Sequence, residues 1–563
     1  MKCPDKESDA LLHFKAHIED PNDYLSSWTT NDCCNWLRVT CNERTGHVSK
    51  LDLGRYGFKG QISPSLLNLT YLNDLDLSVN SFNQTVPMFI GSMTRLTQLD
   101  LSSSLFIGTI PWSIVSLTKL TNLDLSSNSF SGTIPWSIGS LTKLTDLDLS
   151  SNSFIGTIPA FIGSMTQLRS LRLDSNSFDG DIPPALGNLT NLKRLSLRYL
   201  NDGCNLSQVK HPYSTSFVNS SSNSSSLIFS LSLGNNNLNS SMYHWLFPLT
   251  SNSLWQLILS DNMLDALPEY IGKLCSLATL SFSNNFAVGK FSDFLTKLSG
   301  CTSVGIQELD VSNNHFTGSL SSDIQKFPSL VYLNLANNHL NGTISEKVWG
   351  LDTPDILDIS SNSLRGVISE SIGKSKLRTI DLSNNSLEGV LGTSKSHIVS
   401  DIVPDEFWNI FYGGISFVCH IDEWFLSFLD LSNNAFTGEI PDCLWHFKHL
   451  KVLNLGHNKL SGRLRASILS SVELEVLYLY NNNFSGDLPL SLRNCTKLTF
   501  LDLGANKFSG NVPVWIGENL SGLYLLSLRS NNFFGHIPSQ LCELENLQIL
   551  DLSMNNLNGT IPS

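Results

Sequence analysis

Leu120-Thr-Asn-Leu123-Asp124-Leu125-Ser-Ser-Asn128-Ser-Phe130-Ser-Gly132-Thr-Ile134-Pro135 recurs almost letter for letter from Leu144, a step of 24 residues. Leu123 and Leu125 flank an outward Asp124, the two-residue alternation of a half-buried strand, and parallel stacking of successive copies builds a long sheet. No copy can bury its own apolar face, so its neighbours must. Asn128 ends the strand with an amide that both donates and accepts. It can therefore satisfy backbone groups of its own coil and the next, where each unpaired buried polar group costs about 1–3 kcal/mol. Phe130 and Ile134 fill the next corner, Gly132 permits a tight turn, and Pro135 begins a convex segment that returns through Ile138 and Leu141.

The phase of Asn128 recurs at positions 56, 80, 104, 128, 152, 176 and 200, then at 236, 262, 285, 314, 338, 362 and 385, and finally at 434, 458, 482, 506, 531 and 555. A step of 24 beyond Asn385 lands on Asn409, followed by Phe411, Gly413 and Ile415, so the double gap reads as a worn repeat at about 393–416 whose strand leucines have become Pro404 and Glu406. The expected fold is a solenoid of the α/β type, mostly β with a 3-10 or irregular convex side. It is a right-handed superhelical horseshoe of about 21 repeats of about 24 residues. Residues 46–200 form a first block, 201–226 a Ser- and Asn-rich loop excursion, and 227–563 a second block that includes the worn repeat. Residues 1–45 read as a cap: Ser8 begins a helix carrying Leu11, Leu12, Phe14 and Ile18, Pro21 ends it, and Trp28 and Trp36 add bulk beside Cys33, Cys34 and Cys41. The register stops halfway through a coil at Gly559-Thr-Ile-Pro562, which predicts an uncapped apolar end with Leu550 and Leu552 uncovered and a tendency to associate.

Of the 563 residues only 15% are charged, against about 25% in ordinary soluble domains, and 36 basic against 49 acidic groups leave a net charge of −13. Such a chain repels a phosphate backbone, so nucleic acid and basic membrane-surface binding are not expected. No catalytic motif is present, the 13 His are scattered, and neither enzyme activity, a metal nor another cofactor is expected. Secretion is expected from N-x-S/T acceptors at Asn68, Asn83, Asn188, Asn205, Asn219, Asn223, Asn239, Asn341, Asn384, Asn483, Asn494, Asn519 and Asn558, and from the cysteine-rich cap. Met1-Lys2-Cys3-Pro4 lacks the apolar run of a secretion signal, and no stretch of about 18 apolar residues spans a membrane, so both segments are expected to lie outside this chain.

The four cap cysteines allow three connectivities. Cys419 and Cys443 lie 24 apart in one phase of adjacent coils, and strands stacked about 4.8 Å apart suit the roughly 4.4–6.8 Å Cα separation of a disulfide. Cys275 and Cys301 are a further candidate pair, and Cys495 stands where the repeat has a core leucine, as a buried thiol.

The cap phrases Glu7-Ser-Asp-Ala-Leu-Leu-His-Phe-Lys15, Leu25-Ser-Ser-Trp28, Cys33-Cys34-Asn-Trp36 and Val39-Thr-Cys41, followed by Ser-Gly-x-Ile-Pro repeats, resemble the extracellular part of plant leucine-rich-repeat receptors. The stretch Ile415-Ser-Phe-Val-Cys419 with Phe428-Leu-Asp-Leu through Ile440-Pro-Asp-Cys443-Leu-Trp445 is similar to receptor-like proteins that perceive fungal xylanase and related immune ligands. The resemblance implies pairing of Cys3 with Cys33 and of Cys34 with Cys41. It also implies a plasma-membrane protein facing outward, and a protein or peptide ligand from the extracellular space. In the full-length family an adaptor receptor kinase and a co-receptor kinase are partners. Alternative readings are a secreted inhibitor of a microbial wall-degrading enzyme and the ectodomain of a developmental peptide receptor.

Ligand is expected on the concave face, whose outward strand positions can vary without touching the core. The residues there that depart from the repeat are Arg169, Arg172, Arg194, Arg198, Tyr199, Trp255, Tyr332, Tyr478, Tyr480 and Arg529, side-chain types suited to anchoring an interface. The Arg169–Tyr199 group is the first choice among them. Four before each mark stand Asp52, Asp76, Asp100, Asp124 and Asp148, and later Asp358, Asp381, Asp430, Asp502 and Asp551. Repulsion along this column is expected to raise their pKa values.

Overall fold

The computed structural model describes residues 2–29, 32–179, 183–198, 228–243, 253–349, 355–368, 372, 377–388, 414–421, 425–465 and 473–562. They form two units, Met1–Tyr270 and Ile271–Ser563. Each is a leucine-rich solenoid in which every coil contributes one short strand to a parallel sheet, and Leu123, Leu125, Leu147 and Leu149 are at most 1% exposed. In the first unit, strands Asp74–Asp76, Gln98–Asp100, Asn122–Asp124, Asp146–Asp148, Ser170–Arg172 and Arg194–Ser196 pair in strict register. Leucine stacks on leucine in every step. The cap adds an antiparallel strand, Val39–Cys41, against Val48–Asp52, and among the described residues the repeats of the two units contribute 20 concave strands.

Each letter of the repeated phrase has a task in the turn that follows the strand. Asp124 Oδ1 accepts from Ser126 N at 2.9 Å. Ser127 takes a left-handed φ of 54°, and Asn128 Nδ2 then donates to Leu101 O of the preceding coil at 2.8 Å, and to Leu125 O and Ser126 O of its own. Asn128 Oδ1 accepts from Phe106 N at 2.8 Å. Position 104 holds Ser rather than Asn, and its shorter Oγ still reaches Leu77 O at 2.7 Å. Behind the ladder Phe82, Phe106, Phe130, Phe154 and Phe178 stack as a spine, with ring centroids 5.8–6.3 Å apart.

A second β layer was not anticipated. After the amide, Ser129–Gly132 and Ser153–Thr157 are strands of a four-stranded lateral sheet, and the second unit carries lateral sheets of five and six strands. The alternation Ser-Phe-Ser-Gly is its signature, with Gly132 at φ 77° closing the turn. The convex side is a 3-10 turn in most coils, as at Trp136–Ser140 behind Pro135.

The cap departs from expectation at both ends of its helix, which spans Asp5–Lys15. Ser8 lies inside the first turn and its Oγ donates to Asp5 O at 2.9 Å, while Asp5 and Glu7 place negative charge at the N-terminus. The helix stops well before Pro21 because Ile18–Glu19 pairs as a strand with Lys59–Gly60. Leu11 and Phe14 are fully buried, and Trp28 stacks on Trp36 at 5.4 Å. Disulfides join Cys3 to Cys33 and Cys34 to Cys41.

The strand Thr379–Asp381 pairs directly with Phe428–Asp430, and Asn434 Nδ2 reaches across to Leu382 O at 2.8 Å. Of the worn repeat expected at about 393–416, residues 393–413, with Pro404, Glu406, Asn409 and Phe411, lie outside the described residues. Likewise Arg194–Ser196 pairs directly with Ser230–Ser232, and the excursion at 201–226 lies outside the described residues.

Cys419 and Cys443 are joined with Cα atoms 5.4 Å apart, not on strands but on the 3-10 turns Ser416–His420 and Asp442–His446. The bridge thus fastens the turn before strand Phe428–Asp430 to the turn of the next coil. Replacing both by Ser is expected to cost about 2–4 kcal/mol locally, read as faster amide exchange in Phe428–Asp430. An unreduced digest containing both free thiols would refute the bridge. Cys275 pairs with Cys301. Cys495 is a buried free thiol whose pKa burial pushes up to about 11, and Cys542 is exposed.

Candidate ligand-binding face

Outward strand positions in each solenoid form columns, because the register repeats without slip. In the first unit Ser170 pairs with Arg194 and Arg172 with Ser196, which brings Arg169, Arg172 and Arg194 together as exposed side chains on adjacent strands. Arg172 Nη1 meets Asp148 Oδ2 at 3.1 Å. Arg198 is half-buried, with its backbone N–H on Asp174 Oδ1 at 2.8 Å, and Tyr199 lies outside the described residues. Trp255 stacks face to face on Phe229 at 5.4 Å, and its backbone N–H donates to Phe229 O at 2.8 Å. Phe229 and Lys193 were missed by sequence reading. They occupy the same outward phase as Arg169 and Trp255, but the 201–226 excursion interrupts the count between them.

The other candidates belong to the second unit. Tyr332 is half-buried and its hydroxyl accepts from Asn334 Nδ2 at 3.3 Å. Tyr478 meets Tyr480 edge to face at 6.0 Å, and Tyr480 meets His457 at 4.9 Å. Burial raises the phenol pKa of all three tyrosines. Arg529 lies 3.8 Å from Asp551. The predicted set is thus divided between the two units rather than gathered in one.

The acidic column is in place, with Asp52 opposite Asp76, Asp100 opposite Asp124, and Asp358 opposite Asp381. Asp100, Asp124, Asp358, Asp381 and Asp430 are held above the ordinary carboxylate range, and the main cause is burial rather than the expected mutual repulsion. Hydrogen bonds from the serine two residues on oppose the shift, as from Ser102 N and Oγ to Asp100 Oδ1. Asp551 runs the other way: Ser553 lowers its pKa, with little burial to oppose it and Arg529 assisting. A raised folded-state value means that the folded chain takes up protons as pH falls through it. These five acids therefore cost stability above that value, and the cost is gone below the unfolded value of about 3.9. The chain is expected to melt higher at about pH 5 than at pH 7.5, and Asp124→Asn or Asp100→Asn to narrow the difference. A melting temperature that falls on acidification would contradict this.

None of the described glycan acceptors stands on a concave strand. Asn68, Asn188, Asn494 and Asn519 end convex turns, and Asn341, Asn483 and Asn558 lie on lateral strands. Asn239 caps a 3-10 turn, and Asn83 and Asn384 sit at left-handed turn positions. Asn205, Asn219 and Asn223 lie outside the described residues. The grouping of Cys3, Cys33 and Cys34 sulfurs reflects two disulfides. No helix among the described residues is long and apolar enough to cross a membrane.

A family profile described as leucine-rich repeat region matches residues 56–348, and one described as leucine rich repeat N-terminal domain matches residues 4–42. Receptor-like protein EIX2 of Solanum lycopersicum is 46% identical over 85 residues, which are 13% of this chain and 8% of that protein. Receptor-like protein EIX1 of the same species is 41% identical over 90 residues, 13% of this chain and 9% of that protein. The matches thus span under a tenth of these relatives. Among solved structures, the Arabidopsis receptor kinase HAESA, in complex with the peptide hormone IDA and the co-receptor SERK1, is similar over 99% of this chain and 91% of that one, with 28% identity and a TM-score of 0.71.

Proposed function

We propose, on the premise that this chain belongs to the leucine-rich-repeat family, that it is the ligand-binding extracellular portion of a plant cell-surface receptor-like protein. On this reading it perceives a microbial protein or another extracellular ligand on its concave strands. The observation that carries the proposal is the segregation of the surface. Every described glycan acceptor is convex, lateral or in a turn, while the concave columns hold arginines and aromatics that the repeat does not require. A face that holds no glycan acceptor on its strands among the described residues, and carries such side chains, suits a protein ligand. The similarity to receptor-like proteins EIX1 and EIX2 favours the receptor-like reading, and the likeness to a receptor solved with a peptide hormone and a co-receptor favours a peptide ligand with a co-receptor. Localisation at the outer side of the plasma membrane and coupling to an adaptor kinase belong to the same proposal.

The test is binding of the glycosylated chain to secreted microbial proteins, fungal xylanase among them, by biolayer interferometry. Saturable binding that Arg194→Glu weakens at least tenfold, and Asn494→Gln leaves alone, supports the proposal. Binding indifferent to Arg194→Glu and to substitutions on the second unit's concave strands would overturn it.

A further inference from the structure

The concave column six residues before each amide changes character along the chain. In the first unit it holds Asp74, Gln98, Asn122, Asp146, Ser170 and Arg194, in register from strand to strand. In the second unit it opens polar with Thr279 and Glu308, then runs Tyr332, Ile356, Thr379, Phe428, Val452, Val476, Phe500, Leu525 and Ile549, equally in register, so that from Tyr332 onward Thr379 is the one interruption of an aliphatic and aromatic run among the described residues. All of these side chains except Thr279 are at least partly exposed. The fold does not ask for apolar residues there, because the first unit builds the same strands with polar ones. Two residues further along, about 7 Å away, stand Asp358, Asp381 and Asp430 on three successive strands and Asp502 beyond them, with Asn334, Asn454, Tyr478 and Ser527 on the other strands of the stripe. Asp358, Asp381 and Asp430 each commit Oδ1 to a serine N–H, and their further hydrogen-bond partners among the described residues are a hydroxyl or an amide.

Resting on the reading that ligand meets the concave strands, we propose that the second unit recognises an extended polypeptide segment alternating apolar with basic side chains. Its apolar residues would lie on the valine and phenylalanine stripe and its lysines or arginines against the aspartates beside it. From Tyr332 to Leu525 eight strands stack at about 4.8 Å, a span of roughly 34 Å, which about ten residues of extended chain cover. Alternation follows from the geometry of the ligand, whose successive side chains point to opposite sides. The carboxylates are already partly desolvated, so a cation placed among them loses less to solvent screening than one at an open surface.

The test uses four ten-residue probe peptides, alternating Lys-Val, Lys-Ser, Glu-Val and Glu-Ser, titrated against the whole glycosylated chain at low and high salt. Lys-Val is expected to bind at least tenfold tighter than Lys-Ser, and Glu-Val not at all. Val452→Asn with Val476→Asn, the residue type that the first unit carries at Asn122, should abolish the Val over Ser preference. Asp381→Asn with Asp430→Asn should flatten the salt dependence. Equal binding of Lys-Val and Lys-Ser, or the preference surviving in a Val452→Asn, Val476→Asn chain that melts like the parent, would overturn the inference. A natural ligand that binds the concave face but ignores both double variants would sink this inference alone. One that ignores all concave substitutions would sink the receptor proposal as well.

Discussion

Replacing Asn314 by Ala is expected to destabilise the second unit by about 3–5 kcal/mol, among the largest effects of any single substitution in the chain. Asn314 is 3% exposed. Its Nδ2 donates to Phe282 O of the preceding coil at 3.0 Å and to Val311 O and Ser312 O of its own at 3.1 Å, while Oδ1 accepts from Ala287 N at 3.1 Å. Alanine removes every one of these hydrogen bonds at once, and leaves the backbone groups they satisfied without that partner. Position 104 supplies a natural control: its Ser reaches one carbonyl of the preceding coil and one of its own, Leu77 O and Ser102 O. Asn314→Ser should therefore cost less than Asn314→Ala. Amide exchange of strand Glu308–Asp310 and its neighbours is the suitable reading, since a solenoid opens by coils rather than all at once. A cost below about 1 kcal/mol for the alanine variant would mean that the amide ladder is not what holds adjacent coils together.

The periodicity of 24 made the core, the ladder and the concave columns legible, because each depends on residues at fixed distances from the amide. The lateral strands were harder to read. Ser129–Gly132 offers only one buried side chain, Phe130, for a strand of four residues, too little alternation to separate it from a turn. The worn repeat rests on spacing alone: Asn409, Phe411 and Gly413 match the step and lie outside the described residues, while the strands on either side, Thr379–Asp381 and Phe428–Asp430, pair with each other. The acidic column was located correctly and its cause misjudged, since the serine N–H groups that hold each carboxylate, and the burial that raises its pKa, are properties of the folded turn. The apolar stripe of the second unit could have been found by comparing one register position across all coils. Attention to arginine and tyrosine as single departures from the repeat passed over residues that depart from it collectively.

Glu7 was quoted in the sequence only as part of the cap phrase, yet its replacement by Ala is expected to cost about 3–5 kcal/mol in the cap and first coil. Its side chain is 3% exposed. One oxygen accepts from Val48 N at 2.7 Å and the other from His47 Nδ1 at 2.7 Å; a carboxylate can only accept, so the imidazole must donate from that nitrogen. The His47 ring in turn stacks on Tyr71 at 3.9 Å. A residue in the first turn of the cap helix therefore fixes the start of the first parallel strand, Val48–Asp52, and the helix covers the coil behind it through Ala10 O, which accepts from Ser65 Oγ at 2.9 Å. The Cys3–Cys33 bridge keeps the helix tethered, so the alanine variant should loosen the cap rather than release it. Val48 N–H is left buried without an acceptor, and exchange should quicken there and at Leu51 before it does in strands further along. Glu7→Gln restores an acceptor for Val48 without the charge, and about 1–2 kcal/mol is its expected cost. If Glu7→Ala melts like the parent and Val48 keeps its protection, the junction of cap and solenoid must rest on apolar contact and the two bridges alone.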